Sequence, residues 1–66
     1  MNKNELKGKW YQMKGTIMEN WGELTNDVMD EIDGSYDKLV GKLKEFYAIT
    51  TDEAEKQIDE FLEKIE

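Results

Sequence analysis

The sequence contains no cysteine, no histidine, no arginine and no proline. Without cysteine there is no disulfide staple and no thiolate metal site. With histidine missing as well, the usual general base and the strongest nucleophile are both gone. Without proline, nothing forces a break in a helical pattern. Long apolar runs are also missing. The longest is Phe46 to Ile49, far short of the roughly 20 residues that a membrane-spanning helix needs. No apolar stretch follows Met1-Asn2-Lys3-Asn4-Glu5. Neither a signal peptide nor a membrane span is therefore expected, and the cytoplasm is the expected location.

Charge is what the chain has in quantity. Of its 66 residues 38% are charged and 38% hydrophobic, and the net charge is −7. The length predicts a single domain over residues 1–66. A domain of this size buries only about 60% of the surface its unfolded chain exposes, so a thin core and marginal stability are expected. A monomer or weak self-association fits those numbers. The negative balance favours solubility and disfavours general binding to phosphate backbones, which draws its affinity from lysine and arginine.

The charges fall in blocks. Residues 1–18 hold four lysines and one glutamate, and residues 19–37 hold seven acids and no base. Residues 38–47 hold three lysines and one glutamate, and residues 48–66 hold seven acids and two lysines. This alternation predicts four elements whose neighbours attract one another.

Helical periodicity runs through all four blocks. Leu6, Trp10, Met13, Ile17 and Trp21 are spaced by four, three, four and four, one apolar stripe of a single helix. Asn4 is its expected N-cap and Gly22 its expected stop. A second, short helix is predicted from Thr25 or Asn26, with Leu24, Val28, Met29 and Ile32 apolar and Gly34 just past its end. Its alternative is a continuous run through Gly34, because Tyr36 keeps the stripe in phase. A third helix carries Tyr36, Leu39, Val40, Leu43, Phe46 and Tyr47 and ends near Ala48. The fourth has the clearest start. Thr50-Thr51-Asp52-Glu53 reads as a capping box, with Glu53 reaching back to Thr50 and Ile49 stapled to Ala54. Its buried face is Ala54, Ile58, Phe61, Leu62 and Ile65, and Asp52 with Lys56 and Glu60 with Lys64 form favourable i,i+4 pairs.

Two patterns overlie the helices. At an offset of 33, Leu6-Lys7-Gly8-Lys9-Trp10 aligns with Leu39-Val40-Gly41-Lys42-Leu43, Met13 with Phe46, Val28 with Phe61, Met29 with Leu62 and Ile32 with Ile65. Identities are few. If the match is a true repeat, it means two similar helical hairpins packed together. Small residues also recur every seven positions, at Gly8, Gly15 and Gly22 and again at Gly34, Gly41 and Ala48. A mid-helix glycine costs about 1 kcal/mol relative to alanine. Gly8, Gly15 and Gly41 therefore need a reason. One is close approach of crossing helices, another a flat strip for a partner, and a third deliberate weakening of the helices.

Asn2-Lys3-Asn4-Glu5-Leu6-Lys7-Gly8-Lys9-Trp10, Met13-Lys14-Gly15 and Trp21-Gly22-Glu23-Leu24-Thr25-Asn26-Asp27 closely resemble the opening of CsbD-like proteins. Asp30-Glu31-Ile32-Asp33-Gly34, Asp37-Lys38-Leu39-Val40-Gly41-Lys42-Leu43 and Ala54-Glu55-Lys56-Gln57 continue the resemblance, which covers nearly the whole chain. It implies an all-α domain of four helices, two hairpins packed roughly orthogonally in the SAM-like manner. It also implies a bacterial protein induced in general stress, with no catalytic or binding residues to carry over. Such proteins commonly have glycine where this chain has Ala48. An alanine held at positive φ is strained by about 1 kcal/mol.

No enzyme motif stands out. The lone serine, Ser35, has no base partner, and acidic pairs such as Asp30-Glu31 read as a solvated face. Glu31-Ile32-Asp33-Gly34 mimics the middle of an EF-hand loop. In that register Met29 and Val40 would occupy ligand positions, and neither can bind calcium. A weak divalent site among Asp27, Asp30, Glu31 and Asp33 is the remaining metal reading; no metal and no cofactor is expected. Trp10 and Trp21 lie on the main stripe and are expected in the core. Tyr11 and Met18 lie off it. With Lys7, Lys14 and Gly15 they form the candidate partner surface. The expected function is non-enzymatic, acting on an unidentified protein partner or by bulk protection. The alternative is nucleic-acid binding through Lys3, Lys7, Lys9 and Lys14 with aromatic stacking. Pairing of Lys7 and Lys14 with acids of the second or fourth helix would count against it. A basic, amphipathic first helix reaches anionic lipid only if it detaches.

Overall fold

The computed structural model describes residues 3–65, and those residues form helices and connecting turns without strands. There are five helices: α1 (Lys3–Gly8), α2 (Trp10–Asn20), α3 (Asn26–Ile32), α4 (Tyr36–Tyr47) and α5 (Thr51–Lys64). The all-α expectation holds, but the expected first helix is two. Lys9 sits at φ −111° and ψ 17° between α1 and α2, outside the helical well. Gly8 just before it weakens the helix there. Helical i→i+4 bonding continues on both sides of Lys9, whose N–H donates to the Glu5 carbonyl at 2.9 Å and whose carbonyl accepts from the Met13 N–H at 3.1 Å. Asn4 lies inside α1 and is not its cap; the residue preceding Lys3 is outside the described range.

The next three helices begin with a side-chain cap. Thr25, Ser35 and Thr50 are extended, and their hydroxyls accept from the N–H groups of Val28, Lys38 and Glu53 at 3.3, 3.3 and 3.1 Å. Each bond satisfies one of the donors a helix start leaves unpaired. Ser35 is thus a cap. The capping box at Thr50 is half made, because the Glu53 carboxylate accepts from Gln57 at 3.2 Å instead of reaching back. Neither Asp52–Lys56 nor Glu60–Lys64 closes as an ion pair among the described residues.

Gly34 ends the run of α3, at φ +82° after a left-handed Asp33 at φ 46°. The second and third predicted helices are therefore separate. A Cβ on Gly34 would lie 2.7 Å from the Lys7 Cα, so the absent side chain is also what lets α1 cross here. Ala48 closes α4 at φ 53°, the strained turn that an alanine in this place implies.

Helix α4 is the hub. It packs against α5, α3 and α1, and α1 leads into α2. Every residue of the first stripe is buried: Leu6 and Ile17 completely, Trp10, Met13 and Trp21 nearly so. Val28, Met29 and Ile32 of α3, Leu39 and Leu43 of α4, and Ile58 and Phe61 of α5 join the same core. Burying each such side chain contributes about 1.5–3 kcal/mol. Phe46 departs from expectation and is 39% exposed. Seven residues after Leu39, Phe46 lies only about 20° from it around the helix, so its exposure comes from its place in the last turn of α4 and not from its spacing.

At the end of α2 the Trp21 ring lies 5.0 Å from that of Phe61, tilted by 57°. Its indole N–H donates to the Gln57 side chain at 3.0 Å. The Tyr47 hydroxyl accepts from the Glu23 N–H at 2.9 Å and ties the following turn to α4. Gly22 lies in that turn with no positive φ.

Candidate interaction surface

Lys7, Tyr11, Lys14, Gly15 and Met18 succeed one another at helical spacings along α1 and α2. Because the stripe of Leu6, Trp10, Met13 and Ile17 faces inward, this neighbouring row faces outward or sideways. Tyr11 is 82% exposed, the most solvent-facing large hydrophobic side chain among the described residues. Gly15 lies one turn further on, exposed, with nothing within 4 Å of where a Cβ would be. Lys7 is exposed beside Gly34.

Two members sit differently from expectation. Met18 is half-buried and packs against the core, because it flanks Ile17 and Trp21 closely enough for its flexible chain to fold over the edge. Lys14 is also half-buried. Its Nζ donates to Asp30 Oδ1 of α3 at 3.0 Å and lies 5.4 Å from the Tyr11 ring centroid. The surface is therefore a tyrosine face backed by a neutralised lysine, with an open glycine beside it. Asp30 was not among the candidates. The opposite charge of its block signalled such a pairing, but the choice of partner needed the packing of α2 on α3.

Neighbouring charge blocks do pair. Lys14–Asp30 joins the first and second, and Lys42–Glu31 at 3.5 Å joins the third and second. These pairs leave the acidic run dispersed. Asp30 turns to α2, Glu31 to α4, and Asp33 ends α3. Among the described residues no group of three or more acids is placed to hold a metal ion.

The glycines overturn one reading. Gly8, Gly15 and Gly41 have nothing within 4 Å of an added Cβ, so close helix crossing does not explain them. Gly34 alone makes such an approach. Gly41 instead opens onto a shallow groove of about 540 Å³ between α3 and α4, lined by Glu31, Lys38, Lys42 and Glu45.

A second polar cluster joins Lys3 of α1 to Tyr36 and Asp59. The Tyr36 hydroxyl donates to Asp59 Oδ1 at 3.0 Å, and Lys3 Nζ lies 5.4 Å from the ring centroid. Burial, then the hydrogen bond to Asp59 and the charges of Asp59, Glu55 and Asp37, push the Tyr36 phenol up to about 12. The cluster joins α4 to α5 and has no nucleophile to activate.

Among the described residues no helix is long and apolar enough to cross a membrane. The family described as CsbD-like matches residues 4–56 of the chain. The UPF0337 protein YjbJ of Escherichia coli O6:H1 is 51% identical over 59 residues, covering 89% of this chain and 86% of its own. A UPF0337 protein of Pseudomonas aeruginosa is 42% identical over 65 residues, 98% of this chain and 100% of its own. Another, from Protochlamydia amoebophila, is 38% identical over 64 residues, 97% of each chain. No solved structure matches.

Proposed function

The chain belongs to the CsbD-like family, and on that premise we propose that it is a bacterial stress-response protein that works without catalysis, by contact with other proteins or by protecting them in bulk. The observation that carries this reading is the α2 face. Tyr11 is 82% exposed beside a glycine whose surroundings are open. Exposed tyrosine supplies amphipathic contact area at low entropic cost and is enriched where proteins meet. The proposed surface is Lys7, Tyr11, Lys14, Gly15 and Met18, with Met18 at its edge and Lys14 as its support.

Nucleic-acid binding through Lys3, Lys7, Lys9 and Lys14 ranks second. Trp10 and Trp21 are buried and unavailable for stacking in the folded state. Lys14 is held by Asp30 at 3.0 Å, and Lys3 lies over Tyr36. For the fold, the two-hairpin SAM-like arrangement stays a proposal. It is supported by burial at four aligned positions, where Leu6 and Leu39, Trp10 and Leu43, Val28 and Phe61, and Met29 and Leu62 are all buried, against the mismatch of buried Met13 with exposed Phe46.

A photocrosslinking amino acid in place of Tyr11, in cells under stress, tests the contact. A reproducible set of protein adducts that survives nuclease, and is missing when the crosslinker replaces exposed Lys56, is expected. Adducts that vanish on nuclease treatment would reverse the ranking of the two readings.

A further inference from the structure

Four positions carry a residue that opposes the backbone conformation it adopts. Gly8, Gly15 and Gly41 sit in helices, exposed, with open space where alanine would fit. Ala48 sits at φ 53° and ψ 43°, where glycine fits without strain. None of the three glycines has a positive φ, so no turn requires them. Gly15 and Gly41 lie inside α2 and α4 and each raises the unfolded fraction roughly two- to fivefold, Gly8 at the last position of α1 does so by less, and the left-handed alanine does so about fivefold. The three glycines have nothing within 4 Å of an added Cβ and so share no partners, and the effects multiply. A 66-residue domain has little stability to lose.

An opening would release the whole shared core, and one stripe of it lies on a continuous stretch of chain. The Leu6, Trp10, Met13, Ile17 and Trp21 stripe is buried in the folded state. It is rich in large, adaptable apolar side chains. The rest of the chain suits reversible opening. With 38% charged residues and a net charge of −7, the opened chain repels its own copies and stays soluble. With no proline and no cysteine, refolding meets neither prolyl isomerisation nor disulfide reshuffling, the two slowest steps a small domain faces.

We propose that the fold is a stability-limited switch: mild stress opens the domain, and the released tryptophan–methionine stripe binds apolar segments of other unfolding polypeptides. This rests on the protective reading above and gives it a partner class, the exposed apolar stretches of non-native protein.

The test uses the full chain and the variant Gly8→Ala/Gly41→Ala/Ala48→Gly, which leaves Gly15 and the α2 surface intact. Thermal midpoints are measured first. Each protein is then mixed with citrate synthase over a series of temperatures at which that enzyme aggregates, and light scattering is followed. The variant is expected to melt about 10 °C or more above the natural chain. The natural chain is expected to suppress scattering at temperatures where it is open and the variant is still folded. The variant should do so only above its own midpoint. An unchanged midpoint would overturn the inference. Equal suppression by both proteins while both are folded would also overturn it, while leaving a protective folded surface standing. No suppression by either at any temperature would remove bulk protection and the switch together, with the Tyr11 contact judged separately by its crosslinks.

Discussion

At the scale of single residues, the same amino-acid type plays opposite parts. Gly34 is required twice over, by φ +82° and by the Lys7 backbone 2.7 Å from where a Cβ would stand. Gly34→Ala should cost about 3 kcal/mol, combining left-handed strain with a backbone clash. A drop of that size in the denaturation free energy, or failure to fold, is the expected outcome of urea titration. A loss below about 1 kcal/mol would mean that α1 does not cross there. Tyr36 gives a spectroscopic check. Its folded-state value is raised to about 12 from the ordinary 10 of an unfolded chain. Its contribution to stability is therefore complete below pH 10 and is lost as pH rises through 12. Tyr36 should develop phenolate absorbance only near pH 12, and Tyr36→Phe should abolish that late step. The absence of a late step would contradict the Asp59 contact.

At the scale of elements, most of the fold was legible. Apolar periodicity identified the inward faces because burial of large side chains dominates the energy of a small domain. Thr50 and Thr25 announced helix starts through local chemistry that needs no tertiary information. Thr50→Ala should lower stability by about 1 kcal/mol, read as a shift of the urea midpoint at unchanged slope. No shift would show that the Thr50 hydroxyl bond to Glu53 contributes nothing. The features that escaped the sequence depend on geometry. Two overlapping periodic segments look like one helix when Leu6 and Trp10 keep phase across Lys9, although φ and ψ leave the helical well there. Phe46 looked like core by spacing, but it stands in the last turn of α4 and is exposed. The exposure of Tyr11 was legible, because it lies off the first helix's apolar stripe. The roles of Lys14 and Met18 were not, because an exposed lysine and one held by Asp30 look alike until α2 and α3 are packed together.

At the scale of the whole molecule, one core serves all five helices. Trp10 and Trp21 share it with Leu43 of α4 and Ile58 of α5, so no helix pair can leave without exposing the rest. Detaching α1 and α2 would uncover Leu6, Trp10, Met13 and Ile17. At about 1.5–3 kcal/mol each, that loss rivals the roughly 3–10 kcal/mol total stability of a chain this long. Opening should therefore be cooperative, and the marginal domain should behave as a single switch. The most direct measurement is thermal melting of the full chain followed in parallel by tryptophan fluorescence and far-ultraviolet circular dichroism. Coincident transitions are expected, with a midpoint no higher than the ~45–65 °C at which ordinary mesophilic domains melt. Helicity that persists after the tryptophans are exposed, or a midpoint well above that range, would contradict a stability-limited domain that opens as one unit.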